Sequence, residues 1–211
     1  MLTTYIIGSL ALIVKPGPDL TCTIATALSD GKARAATLMF GLIAGCWLWI
    51  LLLTAGVASF FTAHPATMSA IQIAGAAYIA YLAYGAFADA IRSFRAKSPD
   101  ALRPATGQGF RLFLRGIAMS MSNPLTILFF LAFLPSFTRP DSTLAPAVQT
   151  LLLGTLFCAL VPFIYLPAIV AADFFRAKLV GSVKATATLK LVSAVMLAAV
   201  VVVLAANISF R

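Results

Sequence analysis

Glutamate is absent from this chain. All six acidic residues are aspartates, and the only histidine, His64, precedes Pro65 in a short polar turn. Cys22, Cys46 and Cys158 each sit in an apolar run, with no CxxC pair and no Cys/His cluster. Such a set offers no zinc-ligand spacing and no disulfide framework. We expect three buried thiols that act as small apolar side chains, with no metal and no cofactor. Enzymatic chemistry wants a nucleophile with a base or a metal, so a membrane-embedded enzyme is a poor fit. Charge is scarce as well. Only 10% of residues carry it, against roughly 25% in soluble domains.

Apolar residues are abundant, at 62% of 211. Several runs approach the ~20 residues that a bilayer crossing needs. The reading is an all-α integral membrane protein with six transmembrane helices, roughly 4–28, 36–59, 68–88, 110–134, 144–171 and 189–207. A five-span alternative makes 4–28 re-entrant. The first run does not read as a signal peptide, because no basic segment precedes it and Lys15-Pro16-Gly17-Pro18-Asp19 interrupts it.

The net charge of +9 is not a nucleic-acid footprint. Twelve of the 15 basic residues fall in three loops that share one side by parity. Lys32 and Arg34 follow span one. Arg92, Arg95, Lys97, Arg103, Arg111 and Arg115 lie between spans three and four or open span four. Arg176, Lys178, Lys184 and Lys190 lie between five and six. The other side holds Arg139 and Arg211, and Lys15 is inside a span. The positive-inside rule then puts both termini outside the cytoplasm, and the basic loops meet anionic lipid headgroups.

Two proline breaks interrupt apolar segments about half a chain apart. One is Lys15-Pro16-Gly17-Pro18-Asp19 and the other Ser122-Asn123-Pro124. Proline removes a backbone donor and clashes with the preceding turn. In lipid, freed backbone groups are tolerated only against protein or a water-filled cavity. Interruptions at corresponding places in two halves point to a transporter's binding site. The chain reads as a single domain over 1–211. Repeat one covers about 1–92, a cytoplasmic link about 93–109, and repeat two about 110–211. With three spans each, the repeats are inverted, and the first helix of each is broken at proline. Gly41 and Gly45 form a GxxxG, and Gly75 and Gly85 thin span three. All four are expected to permit close helix packing.

Lys15 lies about 16 Å into the first span at 1.5 Å per residue, near mid-membrane. Buried charges there are functional candidates. Lys15 and Asp19 are four apart and in reach of each other across the break, as a working pair or a structural ion pair. Asp19 is also placed to be satisfied by amides of a fresh helix N-terminus, as a cap. Freed carbonyls suit an ammonium, and a helix N-terminus suits a carboxylate; a zwitterionic amino acid carries both. Ser122, Asn123, Pro124 and Thr126 form the facing surface, with Asn123 offering donors and an acceptor. The plainer alternative there is a proline kink patched by local bonds. Tyr78, Tyr81 and Tyr84 recur three apart. They are candidates to line a pathway or to pack against neighbouring helices. Trp47 and Trp49 are two apart in span two and face different directions.

Pro16-Gly17-Pro18-Asp19, Gly31-Lys32-Ala33-Arg34, Gly41 and Gly45 resemble the opening pattern of the lysine/threonine-homoserine exporter (LysE/RhtB-type) family. Gly75-Ala76-Ala77-Tyr78 with Tyr81-Leu82 is similar to its third-span motif. Asn123-Pro124, Phe129-Phe130 and Leu134-Pro135-Ser136-Phe137 are similar to its fourth. The resemblance implies a bacterial inner-membrane exporter of amino acids or related small metabolites, driven by the proton gradient and working as a homodimer. Two departures stand out. Lys15 occupies a place that is usually small or neutral, and Leu125-Thr126 replaces a common Lys-Ala. The basic group has in effect moved between the breaks, which favours a more acidic or neutral substrate. Other transport readings are a cation or metal exporter of related architecture, which lacks a donor cluster, and a passive channel.

Overall fold

A computed structural model describes residues 2–15, 17–56, 65–95, 109–139, 141–179 and 183–207. Pro16, His64, Arg211 and most of the 93–109 link lie outside the described residues, as do the side chains of Tyr78 and Pro124. All regular structure among the described residues is helical.

The first expected span is two helices, α1 (Leu2–Val14) and α2 (Pro18–Asp30). At 13 residues each, neither reaches across a ~30 Å core alone. Next come α3 (Lys32–Thr54) and α4 (Pro65–Phe94). The second break separates α5 (Gly109–Ser122) from α6 (Pro124–Leu128). The chain beyond α6 runs on through a π turn at Phe129–Phe133 and a 3-10 turn at Pro135–Phe137. Last are α7 (Pro146–Leu179) and α8 (Val183–Asn207).

Among the described residues, two helices are long and apolar enough to cross a bilayer alone, α3 and, over Pro146–Lys178, α7. The pair flanking the second break adds a third if its 58° bend lies within one span. Each expected span thus meets helix, with shifted ends. α3 starts four residues before 36 and stops five short of 59, where Gly56 turns to φ +81°. The sequence reading also passed over Pro162 and Pro167, both inside α7.

Helix α3 packs on α5 and α7, α4 packs on α8, and α2 lies against α3, α7 and α8. The closest seam is α3 on α5. A Cβ at Gly41 would overlap the Phe113 carbonyl, one at Gly116 the Leu38 carbonyl, and one at Gly45 the Ser120 side chain. Small residues spaced four apart on both helices let the backbones meet. Gly85 is different and corrects the expectation for it: a Cβ there meets nothing within 4 Å. Gly31 ends α2 with φ +94°, a conformation that costs glycine little. It also starts α3, whose Lys32 amide donates to Asp173 Oδ1 of α7 at 3.1 Å.

Candidate functional site

Both breaks restart a helix in the same way. Gly17, extended at φ −130° and ψ −178°, precedes α2 with Pro18 in the first turn. Asn123, at φ −73° and ψ 115°, precedes α6 with Pro124 in the first turn. Proline suits that place because its missing N–H would lack an intrahelical partner anyway. Asn123 Oδ1 accepts from Leu125 N at 3.0 Å, a side-chain cap. That bond uses the carbonyl end of the amide and leaves the NH2 end as donor.

The two new helix N-termini meet. Thr126 Oγ1 donates to Asp19 Oδ2 across the breaks at 3.3 Å, and the Asn123 side chain also faces the carboxylate. Asn123 and Thr126 are buried. Asp19 Oδ1 is buried with no hydrogen-bond partner. It borders a cavity of about 50 Å³ that Lys15, Gly17, Cys46, Asn123, Thr126 and Tyr165 help to line. Leu125 borders this cavity as well.

Three expectations change. No ion pair joins Lys15 to Asp19 among the described residues; Lys15 borders the cavity while its side chain is exposed. Asp19 does not cap α2 either. It stands inside the first turn, where Gly17 is the cap residue. Ser122 turns away and donates to Ala118 O at 2.7 Å and Met119 O at 3.3 Å in its own helix. That is the local patching that serine and threonine provide near a kink.

Sequence reasoning missed Cys46, Phe157, Val161 and Tyr165 on the cavity wall. Tyr165 lies between Pro162 and Pro167, and that proline pair was the signal available. The cysteine expectation holds: all three are free and buried. Cys46 Sγ lies 3.4 Å from Ser120 Oγ.

A second cavity of about 430 Å³ opens at the end of the bundle where α2 and α4 finish and α5 and α8 begin. Tyr81 and Tyr84 line it and are 70% and 75% exposed, so they line space rather than pack. Gly85 lines it too. Asp19, Cys22 and Thr26 follow one another at i, i+3 and i+7 on α2. This face leads from the small cavity to the large one over about 10 Å at 1.5 Å per residue.

On its other side, the small cavity adjoins a cluster of rings. Phe157, on its wall, stacks on Phe129 at 4.1 Å between centroids. Phe129 contacts Phe133 at 5.2 Å. Tyr5 of α1 meets Phe133 and Phe137 at 5.9 and 5.2 Å and donates its hydroxyl to Leu153 O at 2.7 Å. The π turn aligns these rings; its Leu134 N donates to Phe129 O at 2.9 Å.

No solved structure matches this chain. An uncharacterized membrane protein of Pseudomonas aeruginosa is 32% identical over 137 residues, 65% of this chain and 63% of its own length, so the match spans less than two thirds of that relative. A leucine efflux protein of Klebsiella pneumoniae is 26% identical, over 88% of this chain and 85% of its own. A homoserine/homoserine lactone efflux protein of Salmonella typhi is 30% identical, over 71% and 69%. The LysE type translocator model matches residues 10–208, nearly the whole length, and the chain belongs to that family.

Proposed function

We propose that this protein exports amino acids or related small metabolites across the bacterial inner membrane by proton-coupled secondary transport. The observation that carries the reading is the meeting of two proline-started helix N-termini at a half-buried aspartate, one of whose oxygens is buried and unsatisfied. Orphaned buried polar atoms cost free energy, so Asp19 Oδ1 is a place for a donor. A proton and an alkylammonium group are the two donors a transport cycle brings there. Exchange of one for the other at a single carboxylate couples the two fluxes. The positive ends of α2 and α6 also point at the cavity and suit an anionic group. The relatives named for leucine and homoserine efflux support small amino acids as cargo.

In this reading, six crossings form two inverted three-helix repeats, about 1–92 and 110–211, with both termini periplasmic and the link cytoplasmic. Contact of α3 with α7 and of α4 with α8 supports it, because each pair joins corresponding spans of the two halves. The protein works as a homodimer. The cavity at Asp19 has room for an ammonium group or a few waters, not a whole amino acid, so cargo enters as the helices rearrange.

The test is efflux from proteoliposomes loaded with labelled L-leucine or L-homoserine. Transport is expected to need the protein, to respond to an imposed pH gradient, and to lose that response with a protonophore. Equal flux with and without the protein for both amino acids overturns the exporter reading. Flux that ignores the pH gradient overturns the proton coupling alone.

A further inference from the structure

We propose that Arg115 is the carboxylate-binding group of a docking site in the 430 Å³ cavity, where the substrate rests before it reaches Asp19. This inference rests on the exporter reading and deepens it by assigning a recognition residue and a ligand class, the α-amino carboxylate.

Arg115 enters this cavity from α5. Its Nη2 donates to Cys22 Sγ at 3.2 Å, a weak acceptor. Its Nε is buried and has no partner. No carboxylate pairs with it among the described residues. A guanidinium presents five donors in a planar fork that matches a carboxylate edge to edge. A half-buried one that holds only a thiol leaves most of that fork unused. The contact with Cys22 places it on the α2 face that leads to Asp19, so a carboxylate held there lies on the way in.

The rest of the cavity fits a zwitterion. Asp89 and Arg92 on its wall pair with each other. Asp30 and Lys190 remain without an ion pair among the described residues. Asp30 ends α2, where the helix dipole disfavours an acid, so an arriving ammonium offsets that cost. The wall thus offers an acid without an ion pair for the amine, alongside a guanidinium that holds only a thiol for the carboxylate. The volume takes a whole small amino acid, which the cavity at Asp19 does not.

The full-length protein, purified in detergent, is titrated with two ligand pairs by intrinsic fluorescence and thermal shift. The pairs are L-leucine with L-leucinamide, and L-homoserine with its lactone. Only the first member of each pair has a free carboxylate. The wild-type protein is expected to bind that member at least tenfold more tightly. Arg115→Gln is expected to abolish the preference while the amide and lactone bind as before, and Arg115→Lys to keep part of it. Unchanged amide binding also shows that the variant is folded. A preference that survives Arg115→Gln overturns the proposal, as does a wild-type protein without any preference. Loss of preference in Arg115→Gln, together with absent flux in proteoliposomes, sustains the docking site and overturns export.

Discussion

Thr126 donates to one carboxylate oxygen of Asp19, and the Asn123 side chain faces the same group. A hydrogen bond to a charged group contributes about 1.5–3 kcal/mol, so Thr126→Val is expected to lower the thermal midpoint and slow efflux. Asp19→Asn is expected to abolish efflux while folded protein still reaches the membrane, which size-exclusion chromatography checks. Efflux through Asp19→Asn that still responds to the pH gradient would place the proton elsewhere. Lys15 gives a sharper test. Because no ion pair links it to Asp19, Lys15→Met and Asp19→Asn should couple by well under the roughly 3–5 kcal/mol at stake when a buried pair is broken. A thermal double-mutant cycle measures this, and coupling of that size would restore the ion pair. Asp19 was legible in the sequence because prolines punctuate it and an acid in an apolar run is rare. Its partner was not legible as such. Nothing local in the sequence says that Thr126, rather than Lys15, reaches the carboxylate, since that depends on how two distant helices meet.

Among the helices, the seam between α3 and α5 is the tightest backbone approach. Gly41→Leu forces side-chain atoms into the Phe113 carbonyl, and overpacking typically costs about 1–3 kcal/mol. A lower thermal midpoint and loss of folded protein in detergent are expected. Gly85→Ala is the contrast, since its Cβ meets nothing and alanine favours helix by about 1 kcal/mol. The midpoint there should stay or rise, and a marked fall would show that the helix needs a bare backbone at that point. The GxxxG at Gly41 and Gly45 was readable from spacing. Its partners Gly116 and Ser120 share that spacing on α5, yet nothing in one sequence pairs the two stripes. The breaks were readable as breaks because proline acts locally. The π turn at Phe129–Phe133 was not, as neither proline nor glycine lies within it and ring packing stabilises it from outside.

For the whole molecule, the basic residues predict that a reporter fused after Arg211 behaves as periplasmic, and one inserted in 98–107 as cytoplasmic; the reverse at either site defeats the inverted arrangement. The two ends of the bundle also differ. One has a wide polar mouth, and the other holds a cluster of packed rings, Tyr5, Phe129, Phe133, Phe137 and Phe157. Aromatic pairs contribute about 0.5–1.5 kcal/mol each beyond their burial. Opening that end therefore means separating several such pairs at once. In the exporter reading, the rings would act as a latch whose strength sets how long the carrier waits facing one side. A ligand moves such a balance only by its preference for one state. Phe133→Ala should thus shift the resting population and change the turnover rate, while leaving the order of substrate preference untouched. Paired spin labels across the ring cluster would follow the shift. The chemistry of choosing a cargo and the timing of releasing it would then sit at opposite ends of one molecule, each open to alteration without the other.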